Sequence, residues 1–118
     1  MDKFDERDVD RLLGILDHCD RINACIKRFG DDFESFRDDV MYQDAVYMNL
    51  FQIGELVHRI SEDCLDQISG IPWHRIYGQR NIIAHGYVSL REEEVWETIK
   101  NDIPVLFETI SRALGQEE

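Results

Sequence analysis

The sequence predicts an all-α fold, an up-and-down bundle of four to five helices forming one domain over residues 1–118. Three observations carry that reading. Apolar residues recur at three- and four-residue steps through most of the chain. Strand-type alternation is absent. Only two prolines and seven glycines interrupt the 118 residues, which favours long helices. This length supports one core and not two.

The first helix is expected from about Glu6 to Phe29. Leu12, Ile15, Leu16, Cys19, Ile22, Ile26 and Phe29 form its apolar stripe. Gly30-Asp31-Asp32 reads as a stop followed by a cap. Phe33 and Phe36 belong to a short helical turn or a structured connector. The second helix is expected from roughly Asp38 to Leu65, with a main stripe of Val46, Leu50, Ile53, Val57, Ile60 and Cys64. A second stripe, Tyr47, Phe51, Gly54 and His58, lies about 100° around the same helix. An aromatic stripe containing a glycine implies another close helix contact, with a neighbour in the same chain or with a second subunit.

Ser69-Gly70-Ile71-Pro72 reads as a connector. Pro72 fits the first turn of a third helix, which ends near His85 with Gly86 as its left-handed terminator. Ser89 and Glu92 form a capping box opening a fourth helix. The apolar face of that helix runs from Leu90 through Val95, Trp96, Ile99, Ile103, Leu106, Phe107 and Ile110 to Leu114. Pro104 should kink or divide it.

Composition narrows the function. No apolar run approaches 18 residues, so no membrane span is expected. The charged start MDKFDERDVDRLL does not resemble a secretory signal. Cys19, Cys25 and Cys64 make no CxxC pair and read as buried, reduced thiols of a cytoplasmic protein. No metal-ligand spacing links His18, Cys19, His58 and Cys64, so neither a metal nor another cofactor is expected. The net charge of −12 argues against broad nucleic-acid binding. The charge is unevenly spread, however. From Gln67 to Arg91 there is no acid, while His74, Arg75, Arg80, His85 and Arg91 all fall there. The segment is a basic island that suits a small phosphate-binding patch, and His74, Arg75 and Arg91 are its candidate RNA contacts.

Within that island, Arg80-Asn81-Ile82-Ile83-Ala84-His85-Gly86-Tyr87 carries the chemistry. A guanidinium is a permanent, forked cation matched to phosphate. An imidazole is the side chain that moves protons near neutral pH. On an ideal helix Arg80 falls on the apolar face with Trp73, Ile76, Tyr77, Ile83 and Ala84. It is therefore either a structural arginine that snorkels or pairs with an acid such as Glu55, or one packed at its stem and delivered into a cleft. His74, Gly78, Asn81 and His85 make a separate polar face. His85 is either a simple C-cap or a proton donor whose charged form the helix C-terminus favours.

At these residues the chain resembles the HEPN superfamily, and more closely the HepT-like ribonuclease toxins. Their motif is Arg-x4-His-x-Tyr, here Arg80, His85 and Tyr87, with Asn81 as the polar residue after the arginine. Ile53-Gly54-Glu55, Pro72-Trp73, Val95-Trp96 and Ile103-Pro104 are further family-like words. The resemblance implies a homodimeric bundle with two motifs facing across the interface. It implies metal-independent RNA cleavage, in which the ribose 2′-OH attacks phosphorus, Arg80 and His85 act as catalytic residues and Asn81 orients one of them. It also implies a minimal nucleotidyltransferase antitoxin that transfers AMP to Tyr87. Two other readings compete with an RNase toxin. One is a non-catalytic regulatory partner of a nucleotidyltransferase. The other is a nucleotide-binding helical dimer without turnover.

Overall fold

A computed structural model describes residues 4–86 and 89–115, and every described element is helical. Helix α1 spans Glu6–Phe29 as expected. The Asp5 carboxylate accepts from the Arg7 N–H at 2.8 Å, and Gly30 closes the helix at φ 129°. Leu12, Ile15 and Ile22 on its inner face are fully buried. Helix α2, Phe33–Arg37, is the short turn the sequence suggested, capped by Asp32. It inserts Phe36 into an aromatic cluster, edge-on to Tyr42 at 5.2 Å and near Trp96 at 5.8 Å. Helix α3, Val40–Arg59, is capped by Asp39 and packs along α1 through Val46, Leu50, Ile53 and Val57.

The expected second helix is interrupted. Helix α3 stops at Arg59, Ile60 is extended with ψ 141°, and a separate α4 runs Glu62–Gln67. The cause lies 53 residues back. Buried Asp8 of α1 accepts the Ser61 N–H at 3.0 Å and the Ser61 hydroxyl at 2.7 Å. The same hydroxyl oxygen accepts the Cys64 N–H at 3.2 Å, so Ser61 caps α4. The broken turn therefore has its donors satisfied by side chains instead of by helix carbonyls. Burial alone would raise the Asp8 pKa, but the Ser61 hydrogen bonds, helped by Arg11 and Arg7, bring it below the ordinary carboxylate value.

Helix α5 spans Trp73–Ala84 with Pro72 at its N-cap. Helix α6, Glu92–Glu97, passes through a π-helical turn at Thr98–Asp102 into α7, Ile103–Ala113. Pro104 thus divides the helix, as expected. It has no N–H to offer the preceding turn, and the wider π turn sits directly before it. The Ser89/Glu92 capping box does not form. Arg91 occupies the N-cap of α6 without a side-chain cap, and Ser89 lies exposed in the preceding turn. Helices α1, α3 and α7 enclose the main core, and α5 packs on the side of α3. Cys19 and Cys64 are buried thiols, pushed up to about 12 and about 11 by burial, while Cys25 is only partly buried. No described helix is long and apolar enough to cross a membrane.

Candidate functional site

Helix α5 carries the motif, and only two of its side chains, Ile76 and Ile83, are buried. Arg80 lies about 60° around the helix from Ile83, facing α3. Its stem rests on Gly54. A Cβ placed there would sit 2.3 Å from Arg80 Cβ and 2.7 Å from its Cγ, so no larger residue fits without moving α5. The glycine of the second α3 stripe is therefore explained by the arginine above it. The close neighbour at Gly54 and Phe51 is intramolecular, Arg80 of α5. Of the two partners expected for the stripe, a neighbour in the same chain is thus found at Gly54, while His58 at its end stays exposed.

The guanidinium is held on several sides. Arg80 Nε donates to Glu55 Oε1 at 2.8 Å, and Nη2 lies 2.7 Å from the same oxygen. Nη1 donates to Asn81 Oδ1 at 2.9 Å. The cation sits 5.3 Å from the Phe51 ring centre and 5.8 Å from that of Tyr77. The side chain keeps 24% of its surface exposed. Arg80 is thus both paired with Glu55 and packed at its stem, and an edge of it still reaches solvent. A salt-bridged, stacked guanidinium of this kind has few accessible rotamers, which suits it to meet an anion in a fixed orientation.

Asn81 and His85 lie one turn apart on the polar face of α5. His85 is the C-cap, exposed, with its backbone N–H directed to the carbonyls of Ile82 and Ile83. Gly86 follows at φ +91°, a left-handed conformation that glycine adopts without strain. Tyr87 lies outside the described residues.

The rest of the basic island does not converge on Arg80. His74 is exposed on the polar face. Arg75 is about 140° around α5 from Arg80 and bonds Asp102 at 2.9 Å on the opposite flank. Arg91 is exposed, 3.9 Å from Glu94. Gln79 also ties that flank, donating to the buried Thr98 hydroxyl at 2.7 Å. The absence of acids from Gln67 to Arg91 did not foretell this, because Asp102 approaches Arg75 from the π turn, and Glu94 lies just past the acid-free stretch, three residues after Arg91. Sequence reasoning also missed the aromatic setting of Arg80. Phe51 and Tyr77 flank it, and the His58 ring stacks on Tyr77 with centres 5.1 Å apart and planes 16° apart. The signal was available in the spacing of Phe51, Gly54, Glu55 and His58, which place two aromatic rings, a notch and a carboxylate on adjoining faces of one helix.

Among the described residues, no group of three or more His, Cys, Asp or Glu is placed to hold a metal ion. Two grooves of about 510 and 520 Å³ lie between α1 and α7 and beside the α1 N-terminus, and no α5 residue lines either.

The Ribonuclease HepT-like family model matches residues 15–113. A protein of Caldanaerobacter subterraneus subsp. tengcongensis described as a "Putative RNase" is 31% identical over 107 residues, 91% of this chain and 94% of that one. One of Methanocaldococcus jannaschii with the same description is 32% identical over 115 residues, 94% of this chain and 97% of the other. The "Probable ribonuclease HepT" of Thermococcus cleftensis is 35% identical over 74 residues, covering 63% and 67%. No solved structure matches the chain.

Proposed function

We propose, from the premise that this chain belongs to the HepT-like ribonuclease family, that it is a metal-independent endoribonuclease whose activity resides at the C-terminal end of α5. The observation that carries the reading is the stacked, salt-bridged Arg80 with an exposed edge, on the helix whose last turn presents Asn81 and His85. In the proposed reaction the ribose 2′-oxygen attacks the adjacent phosphorus. The new O–P bond forms as the bond to the 5′-oxygen breaks, leaving a 2′,3′-cyclic phosphate and a 5′-OH. The 2′-proton leaves to a base and the departing 5′-oxygen gains a proton, with His85 serving one of these transfers. Arg80 neutralises the charge that builds on the phosphorane oxygens. Asn81, bonded to Arg80 Nη1, holds the guanidinium in plane.

The active form is proposed to be a homodimer. Met41 and Met48 are 74% and 58% exposed and lie on nearly the same face of α3 as Glu55. A second copy covering them would meet the Arg80 end of the site. A minimal nucleotidyltransferase is the proposed antitoxin, transferring AMP to Tyr87. The added phosphodiester would compete for the cations that the RNA phosphate needs. Tyr87→Phe should keep cleavage and escape modification. Intact-mass analysis with ATP, Mg²⁺ and the nucleotidyltransferase tests this, and an adduct retained on Tyr87→Phe would refute it.

One observation favours a rival, a non-catalytic partner of a nucleotidyltransferase. The Glu55 carboxylate already satisfies much of the Arg80 charge, and the body is acidic. Arg80→Ala and His85→Ala separate the two readings. Loss of RNA cleavage in both variants, with unchanged circular dichroism, supports the enzyme. Absence of cleavage by the unmodified protein supports the partner.

A further inference from the structure

We infer that the stacked His58–Tyr77 pair is a nucleobase platform, holding one base of single-stranded RNA beside the phosphate that Arg80 grips; the inference rests on the ribonuclease reading of that site. The two rings lie 5.1 Å apart and nearly parallel, at 16°. They come from different helices, His58 from α3 and Tyr77 from α5. Tyr77 covers one face of the imidazole. His58 is exposed, so the other face is open to a further ring. The stack is tied to the site on both sides. Tyr77 precedes Arg80 by three residues and its ring centre is 5.8 Å from the guanidinium carbon. His58 follows Gly54 by one helical turn, and Gly54 is where the Arg80 stem rests. A base on His58 and a phosphate on Arg80 can therefore belong to one short stretch of a single strand, with Tyr77 between them.

Charge makes such a platform useful here. A chain of net charge −12 cannot draw RNA in through a basic groove. Arg75 and Arg91, the other island arginines, are engaged by Asp102 and Glu94 away from Arg80. Nearby Glu55 is committed to Arg80. Stacking supplies affinity without positive charge and tolerates every base, because each has a π-face. It also selects single strands, since a paired base is not free to leave its neighbours.

The test is binding of a fluorescent single-stranded RNA octamer with 2′-fluoro sugars, which cannot be cleaved by 2′-oxygen attack. His58→Ala should weaken binding roughly 5- to 150-fold, the range expected for one base stack. His58→Phe, which keeps a ring, should restore it. Binding should fall little as salt rises from low to physiological strength. An abasic nucleotide at the position held by His58 should weaken wild-type binding and abolish the difference between wild type and His58→Ala. Equal binding by wild type and His58→Ala, or a difference that persists on every abasic octamer, would overturn the platform, as would failure of the wild type to bind the octamer. An all-ribose octamer run in parallel separates the two ideas. Stacking-dependent binding without cleavage would sink the ribonuclease reading and leave the platform standing.

Discussion

Helices α1 and α5 are fixed in the molecule by different forces. Helix α1 buries seven of its 24 residues, five of them aliphatic, against α3 and α7. Helix α5 buries two of its twelve and relies on directional contacts. The Arg80 stem sits in the Gly54 notch, Glu55 and Asp102 anchor arginines on opposite flanks, and Gln79 reaches Thr98. Apolar burial tolerates small shifts, whereas a notch and an ion pair fix one register and one rotation. The difference teaches where function can reside. The α1–α3 core supplies stability, and the motif rides on a less buried element whose position is set by geometry.

That contrast can be broken by mutation, starting with the largest effect. Leu12→Ala removes a fully buried side chain of α1 and should cost about 2–5 kcal/mol in denaturant unfolding. A loss below about 1 kcal/mol would mean that α1 is not the stability element. Gly54→Ala should cost about 1–3 kcal/mol through overpacking, despite a helix-propensity gain of about 1 kcal/mol. The clash is with Arg80 Cβ and Cγ, near the backbone, so α5 must move as a body. Hydrogen exchange should show protection lost in α5 before α1. Uniform loss across both helices would erase the distinction.

Asp8→Asn probes the hinge between α3 and α4 and should cost about 1–3 kcal/mol near pH 7, because it weakens charge-assisted hydrogen bonds to Ser61. The Asp8 pKa is lowered in the folded state from 3.8, so its contribution is present above that value and is lost as pH falls through the lower native value. The stability gap between wild type and Asp8→Asn should therefore narrow in acid. A gap that widens there would reverse the assignment. At the small end, Arg75→Ala breaks a partly exposed pair and should shift stability by less than about 1 kcal/mol.

The same contrast marks what the sequence disclosed. The α1 boundaries were legible because periodicity, an acidic start and Gly30 agree. The end of α5 at His85 and Gly86 and the division near Pro104 were legible because glycine and proline act locally. The break at Ile60 was not, since it depends on Asp8 meeting Ser61 across 53 positions. Nor was the failure of the Ser89/Glu92 cap, as the motif is compatible with that turn but does not compel it. At the site, Arg80, Asn81 and His85 stood out as residue types in a pattern. Glu55 could be named only as one possible partner of Arg80. The spacing of Phe51, Gly54, Glu55 and His58 groups them on α3, but matching Phe51 and His58 to Arg80 and Tyr77 required the angle at which α5 lies on α3, which the notch at Gly54 sets.

The central claim is that the α5 end cleaves RNA by 2′-oxygen attack without a metal. The most direct test is a short RNA incubated in EDTA with wild-type protein or with His85→Ala, followed by mass analysis of the products. The account predicts 2′,3′-cyclic phosphate and 5′-OH ends with wild type and intact RNA with His85→Ala. Cleavage that stops in EDTA and returns with a divalent ion, or equal cleavage by His85→Ala, would contradict it.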